Sequence, residues 1–139
     1  MKKKIYNLSP KERCRVLEFL GDFFKDRKEV MFAYVYGSFV EDMPFSDIDV
    51  GVYISGILEE EATQYTLNLG QMLENDARYP IDIRVLNFAP VSFLYYVIKG
   101  RLVYERNDDL RVQVAERVIL KYLDLKPMIK KGIKEAFVP

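Results

Sequence analysis

Hydrophobic and polar positions divide the chain into segments of two periods. Ser9, Pro10 and Glu12 have the spacing of a capping box at a helix start, and Val16, Leu17, Leu20, Phe23 and Phe24 recur behind it at helical intervals. After the charged stretch 25–29, Val30–Tyr36 is an apolar run of strand length that Gly37 ends. In residues 47–54 the alternation is strict: Ile48, Val50, Val52 and Ile54 share one face, and Asp47, Asp49, Gly51 and Tyr53 the other. Residues 59–75 read as a second helix with Leu58, Ala62, Tyr65, Leu69, Met72 and Leu73 on one side. Residues 81–86 alternate again, with Asp82 and Arg84 opposite Ile81, Ile83 and Val85. Pro90 opens a short helix that Gly100 stops, and residues 102–104 read as a short strand. Asn107 caps a last long helix whose expected apolar stripe is Val112, Ala115, Ile119, Tyr122 and Leu123. Pro127 is expected to break it, which leaves 128–137 as a basic, weakly amphipathic tail.

Helices that alternate with strands and cover a sheet define the expected class: α/β (α+β), a small mixed β-sheet flanked by helices. No repeat or linker divides the sequence. The expectation is a single domain over residues 1–139, with a C-terminal helix and tail from about residue 107.

Composition narrows the chemistry. Lysine plus arginine total 21 and aspartate plus glutamate total 21, so net charge argues against a dedicated nucleic-acid or membrane-surface binder. Lys2, Lys3 and Lys4 resemble the start of a signal peptide, but Ser9-Pro10-Lys11-Glu12 follows where an apolar core would stand. No apolar run is long enough to span a bilayer, and a cytoplasmic location is expected. The single cysteine, Cys14, excludes an intramolecular disulfide framework and reads as a small buried or boundary residue of the first helix. The absence of histidine removes imidazole acid–base steps, Ser-His-Asp and Cys-His catalysis, and histidine-ligated zinc. Carboxylates, hydroxyls, cations or a metal must carry any reaction.

The carboxylates stand out by their phase. Asp47 and Asp49 project from one face of a strand whose other face is aliphatic, and Asp82 has the same phase on its own strand. If those strands pair, three negative charges approach one another, an arrangement that a divalent cation stabilises. Oxygen ligands with room for water and phosphate suit magnesium, and two ions roughly 3.5–4 Å apart assist an in-line displacement. Gly37-Ser38, directly after a strand, permits a sharp turn whose backbone N–H groups and hydroxyl can donate to a triphosphate. Arg84 is a candidate for phosphate binding or for an ion pair with an aspartate. Alone, a Gly-Ser is usually a turn and an Asp-x-Asp a solvated strand end; their order on successive strands carries the reading. An EF-hand loop starting at Asp47 fails, because Gly51 and Val52 stand where an oxygen ligand and a glycine are needed. Neither a Walker A motif nor G-x-G-x-x-G is present.

Tyr36-Gly37-Ser38-Phe39, Phe45-Ser46-Asp47-Ile48-Asp49-Val50 and Ile81-Asp82-Ile83 resemble the nucleotidyltransferase superfamily of DNA polymerase β and kanamycin nucleotidyltransferase. Within it the chain resembles the minimal nucleotidyltransferases (MNT). The similarity continues through Leu86-Asn87-Phe88-Ala89-Pro90, Gly100-Arg101-Leu102-Val103-Tyr104-Glu105 and Tyr122-Leu123-Asp124-Leu125-Lys126-Pro127. The resemblance implies a polymerase β-like fold and transfer of AMP from ATP to a tyrosine hydroxyl of a HEPN-domain partner, as an antitoxin that blocks the partner's ribonuclease activity. Asp47, Asp49 and Asp82 would be the catalytic and metal-binding residues, holding two magnesium ions. Gly37, Ser38 and Arg84 would be the phosphate-binding set. The expected partners are ATP and the HEPN protein; no membrane is expected, and homo-oligomerisation is left open. A non-catalytic antitoxin with a vestigial nucleotide site, and a transferase acting on small molecules, are the alternatives. One departure from the family is the loop between Gly-Ser and Asp-x-Asp, which at eight residues, Phe39 to Ser46, is shorter than usual.

Overall fold

Helices and strands alternate in the computed structural model, which describes residues 3–136. Their order is α1 (Pro10–Lys25), β1 (Val30–Tyr36), β2 (Ile48–Ile54), a 3-10 turn (Glu59–Glu61), α2 (Ala62–Asp76), β3 (Ile81–Val85), α3 (Val91–Ile98), β4 (Arg101–Glu105) and α4 (Asp108–Ala136). The strands form one mixed sheet in the order β3-β2-β1-β4. β1 is antiparallel to both β2 and β4, whereas β2 and β3 run parallel. Parallel neighbours need a long crossover, and α2 supplies it.

Strand period decides the two faces. Ile48, Val50, Val52 and Ile54 are buried with Ala33, Val35, Ile81 and Ile83 beneath α1 and α2, in a core that includes Leu20, Phe24, Leu69 and Leu73. Burying each such side chain is worth roughly 1.5–3 kcal/mol. On the opposite face Phe32, Tyr34, Tyr36, Leu86 and Val97 form a second, smaller cluster with α3 and α4. That cluster covers the sheet only in part, and the polar ends of β2 and β3 lie on the face it leaves open. No helix among the described residues is long and apolar enough to cross a membrane.

The helix starts follow their local chemistry. Ser9 Oγ accepts from the Glu12 N–H (3.2 Å) and Glu12 Oε1 accepts from the Ser9 N–H (3.1 Å), the reciprocal bonds of the expected capping box. Asn107 Oδ1 accepts from the Leu110 N–H (3.0 Å) at the start of α4. Gly100 follows α3 where the chain meets β1 so closely that a Cβ would collide with the Val35 carbonyl and lie 3.0 Å from Tyr36 Cα.

The structure corrects several sequence expectations. In α4 the residues packed inward are Leu110, Val114 and Val118, four apart, while Val112 (41% exposed), Ile119 (41%) and Leu123 (53%) face outward. The helix carries two apolar stripes, and contact with α3 and β1 selects the one its period could not distinguish. Tyr122 of the expected stripe does pack, stacked on Tyr95 at 3.7 Å between ring centroids. Pro127 does not end the helix, which continues to Ala136. Leu123 and its neighbours are exposed there, so water can hydrate the carbonyl that loses its N–H partner. Phe137, assigned to the tail, lies outside the described residues, as do Met1 and Lys2. In α2, Leu58 and Met72 are exposed, and the helix proper begins only at Ala62. Cys14 is exposed instead of buried or at a boundary.

The Gly100 contact yields a stability prediction. Gly100→Ala forces β4 away from β1 and lowers stability by about 1–3 kcal/mol, the usual cost of overpacking. Urea unfolding followed by circular dichroism measures it; an unchanged midpoint would refute the close approach.

Candidate active site

The site is built from a cross-strand row. Asp49 on β2 stands beside Asp82 on β3 and beside Tyr36 on β1. The next row up places Gly51 between Tyr34 and Arg84. Period 2 turns Asp49, Gly51, Asp82 and Arg84 to the face away from α1 and α2, because Ile48, Val50, Ile81 and Ile83 are committed to the main core. Asp47 stands in the bend immediately before β2 instead of within the strand.

The electrostatics follow from this crowding. Asp49 is half-buried, and burial together with the negative charges of Asp82 and Asp47 pushes its carboxyl above the usual aspartate range. Tyr36, buried beside Asp49, has its hydroxyl pushed up as well, by burial first and then by the Asp49 charge. Two cations answer the acidic patch. Lys3 Nζ lies 2.8 Å from Asp47 Oδ2, and its ammonium is raised by that hydrogen bond and charge and further by Asp82 and Asp49. Arg84 Nε lies 3.8 Å from Asp82 Oδ2, with its guanidinium 5.7 Å from the Phe93 ring centroid. Of the two roles open to Arg84, the ion pair is the one formed within the chain.

Gly37 ends β1 with φ +84°, a conformation that suits glycine. A Cβ there would lie 2.9 Å from Asp49 Oδ2 and 3.8 Å from Tyr96 Oη. The bare glycine therefore brings backbone up to the central carboxylate, which is the close approach a phosphate cradle requires. Beyond it the chain turns tightly: the Val40 N–H donates to the Gly37 carbonyl (3.2 Å), and the Glu41 and Met43 N–H groups donate to the Ser38 carbonyl (3.2 and 3.1 Å). The Ser38 hydroxyl makes no hydrogen bond among the described residues and is available to a ligand.

Sequence reasoning missed Tyr96 and Lys3. Tyr96 belongs to α3, packs edge-on against Tyr36 with centroids 5.8 Å apart, and brings its hydroxyl beside Gly37. Only the packing of α3 across the sheet places it there, and nothing local in the sequence marks it. An open cleft of about 630 Å³ along β3 is lined by Arg84 together with Thr63, Thr66, Phe88, Pro90 and Phe93, and by none of the three aspartates.

The donor set fits a hard divalent cation. It consists of carboxylate oxygens with surplus negative charge, and the Asp49 carboxyl among them is raised by burial and then by its acidic neighbours. Among the described residues no three acidic side chains converge closely enough to cage an ion by themselves. A magnesium ion takes one or two protein carboxylates and completes its shell with water and substrate phosphates, so it does not require such a cage.

Comparison with solved structures finds the same fold in known proteins. A chain from the complex of a tri-AMPylated Shewanella oneidensis HEPN toxin with an MNT antitoxin matches with a TM-score of 0.70 at 17% identity, covering 91% of this chain and 99% of that one. A chain of the MntA–HepT toxin–antitoxin complex matches with a TM-score of 0.69 at 16% identity, covering 90% and 99%. A third, from a toxin–antitoxin structure with AMP-PNP, gives 0.69 at 17% identity over 94% and 100%. At these identities the likeness is one of fold. No curated protein matches the chain. The family model for the polymerase beta nucleotidyltransferase domain matches residues 18–109, a span that holds Gly37, Ser38, the three aspartates and Arg84. The chain belongs to the polymerase beta nucleotidyltransferase family.

Proposed function

We propose that the chain is a magnesium-dependent nucleotidyltransferase that moves AMP from ATP to a tyrosine hydroxyl of a HEPN-domain partner, and so acts as the antitoxin of the pair. The observation that carries this reading is the seating of Gly37 against Asp49, within the row that Asp49 forms with Asp82. It joins a backbone able to take phosphates to carboxylates able to take a cation. The choice of AMP and of a HEPN partner is drawn from the fold neighbours, one of which contains a tri-AMPylated HEPN toxin and another AMP-PNP; the tyrosine acceptor is what the resemblance to the minimal nucleotidyltransferases implies.

In this reading Gly37 and Ser38 hold the β- and γ-phosphates through backbone N–H groups and the free Ser38 hydroxyl. Asp47 and Asp49 would hold the metal, with Asp82 as a further carboxylate ligand. When bound, magnesium neutralises the triphosphate and lowers the charge that builds on the leaving pyrophosphate. Asp82 also accepts or orients the proton of the attacking hydroxyl. Tyr96 borders the triphosphate, and the cleft beyond Arg84 receives the segment that carries the acceptor. Catalysis rests on positioning and charge, as elsewhere in phosphoryl transfer.

Two experiments bear on this reading. The chain, incubated with α-labelled ATP, magnesium and the protein encoded beside it, is expected to label that protein on tyrosine. Asp47→Asn/Asp49→Asn is expected to reduce the rate at least about 100-fold. No label from wild type, or equal label from the variant, sinks transfer; neutralisation that survives loss of all three aspartates favours a purely binding antitoxin.

The second reads Asp49 directly. Its carboxyl is raised in the folded chain, so its contribution to stability is complete below the unfolded aspartate value of about 4 and is lost as pH rises through the folded value. In metal-free protein at neutral pH the ionised Asp49 is therefore a cost. Asp49→Asn is expected to melt higher than wild type at pH 7 without metal, with the gap closing as pH falls toward about 4. Magnesium should raise the wild-type Tm and leave that of the variant nearly unmoved. A variant that melts lower than wild type at pH 7, or responds equally to magnesium, contradicts the assignment.

A further inference from the structure

Arg13 is the one charged side chain buried among the described residues, at 4% exposed, and the chemistry described so far does not use it. It leaves the first turn of α1 and ends beside the edge-to-face pair of Phe39 and Phe45, whose centroids are 4.9 Å apart, with the guanidinium carbon 5.3 Å from each. Nε donates to the Leu8 carbonyl (3.0 Å), Nη1 to the Phe39 carbonyl (2.7 Å), and Nη2 to the Met43 carbonyl (2.9 Å) and at longer range to Asn7 Oδ1 (3.5 Å). No carboxylate stands within ion-pair distance of it among the described residues. A buried cation without a counter-ion is costly, and here its donors go almost wholly to main-chain carbonyls. What such an arrangement fixes is backbone position.

The backbone in question is the loop between the two halves of the site. Phe39 directly follows Ser38, and the Met43 N–H donates to the Ser38 carbonyl, so two of the three arginine-bound carbonyls grip the turn that carries Gly37-Ser38. The far end of the loop is tied by a second device: Tyr6 and Phe45 exchange both backbone hydrogen bonds, at 2.8 and 3.0 Å, two residues before Asp47. The third arginine-bound carbonyl, of Leu8, belongs to that same N-terminal segment. Between the ties the chain turns through Asp42 in the left-handed region, at φ 57°. A loop of only eight residues thus holds its shape by being clamped to the start of α1.

We infer that Arg13 is a positioning residue for nucleotide binding, which sets the separation between the phosphate-binding Gly37-Ser38 and the metal-binding Asp47 and Asp49. The consequence for nucleotide rests on the function proposed above; the clamp itself does not. Lysine cannot replace it, because an ammonium lacks the planar fork that reaches several carbonyls at once.

The test uses the full chain with Arg13→Lys and Arg13→Gln, read by amide hydrogen exchange and by equilibrium binding of a β,γ-imido ATP analogue with magnesium. Exchange at Val40, Glu41 and Met43 is expected to rise at least tenfold while β2 and β3 stay protected, and analogue affinity to fall at least tenfold. Combined with Ser38→Ala, the affinity losses should be less than additive, since Arg13 acts through that turn. Phe45→Leu, which removes one of the two rings beside the guanidinium and keeps every arginine hydrogen bond, should give a smaller change in both readouts and serves if the arginine variants do not fold. Unchanged exchange in the loop, or unchanged affinity with a loosened loop, overturns the inference. If wild type binds no analogue, the proposed function fails and the exchange data alone decide the clamp.

Discussion

The parallel pairing of β2 with β3 is the constraint on which the site depends. It sets Asp49 directly beside Asp82, and a slip of one residue would turn Asp82 into the core and Ile81 and Ile83 out to solvent. What holds the register is the aliphatic side of the same strands: Ile48, Val50 and Val52 are fully buried. At roughly 1.5–3 kcal/mol apiece, these three together exceed the repulsion of one carboxylate pair about 4 Å apart, which is about 1 kcal/mol in bulk water and about 4 kcal/mol near a protein surface. The acidic row is therefore imposed by packing beneath it. Burial first, and then the neighbouring charges of Asp82 and Asp47, disfavour the ionised Asp49 that this packing imposes, and a cation bound there would offset both.

The polar face also needs an open sheet. α1 and α2 cover one side completely, while α3 and the first half of α4 cover only part of the other. Gly51 marks the limit of that cover: a Cβ there would lie 2.7 Å from Leu86 Cδ2 and 3.2 Å from a Val97 methyl, so the small cluster presses against bare backbone. One row further along β2 stands Asp49, outside the apolar packing and within reach of Gly37. The boundary between dry cluster and acidic row is one pair of residues wide, and Tyr36 spans it, packed on Phe93 while flanking Asp49.

Legibility in the sequence tracks how local each cause is. The faces of β2 and β3 were readable because period 2 ties each aspartate to the aliphatic residues on either side of it, and so Asp49 and Asp82 could be placed together once the strands paired. The capping box at Ser9 and the cap at Asn107 are likewise settled within a few residues. The inward face of α4 was not readable, because Leu110-Val114-Val118 and Val112-Ile119-Leu123 are both acceptable helical stripes and only contact with α3 chooses between them. Pro127 misled for a related reason: its local preference is to stop a helix, but its surroundings are solvated and tolerate the lost hydrogen bond.

Arg13 shows the same limit from the other side. In sequence it is one of several charges along an amphipathic helix, indistinguishable from Lys11 or Arg15, which are exposed. Its role is conferred by residues 26 and 30 positions away, whose carbonyls it binds. The sequence does show a loop short for the family and no glycine between Gly37 and Asp47 to ease its turn. A tight connection without that freedom, with Asp42 in the left-handed region, needs restraint from outside itself. Gly37 meets Asp49 at one end of this loop and Asp47 stands at the other, so the restraint acts on the geometry between cradle and carboxylates, and α1 becomes part of the site without contributing an atom to it.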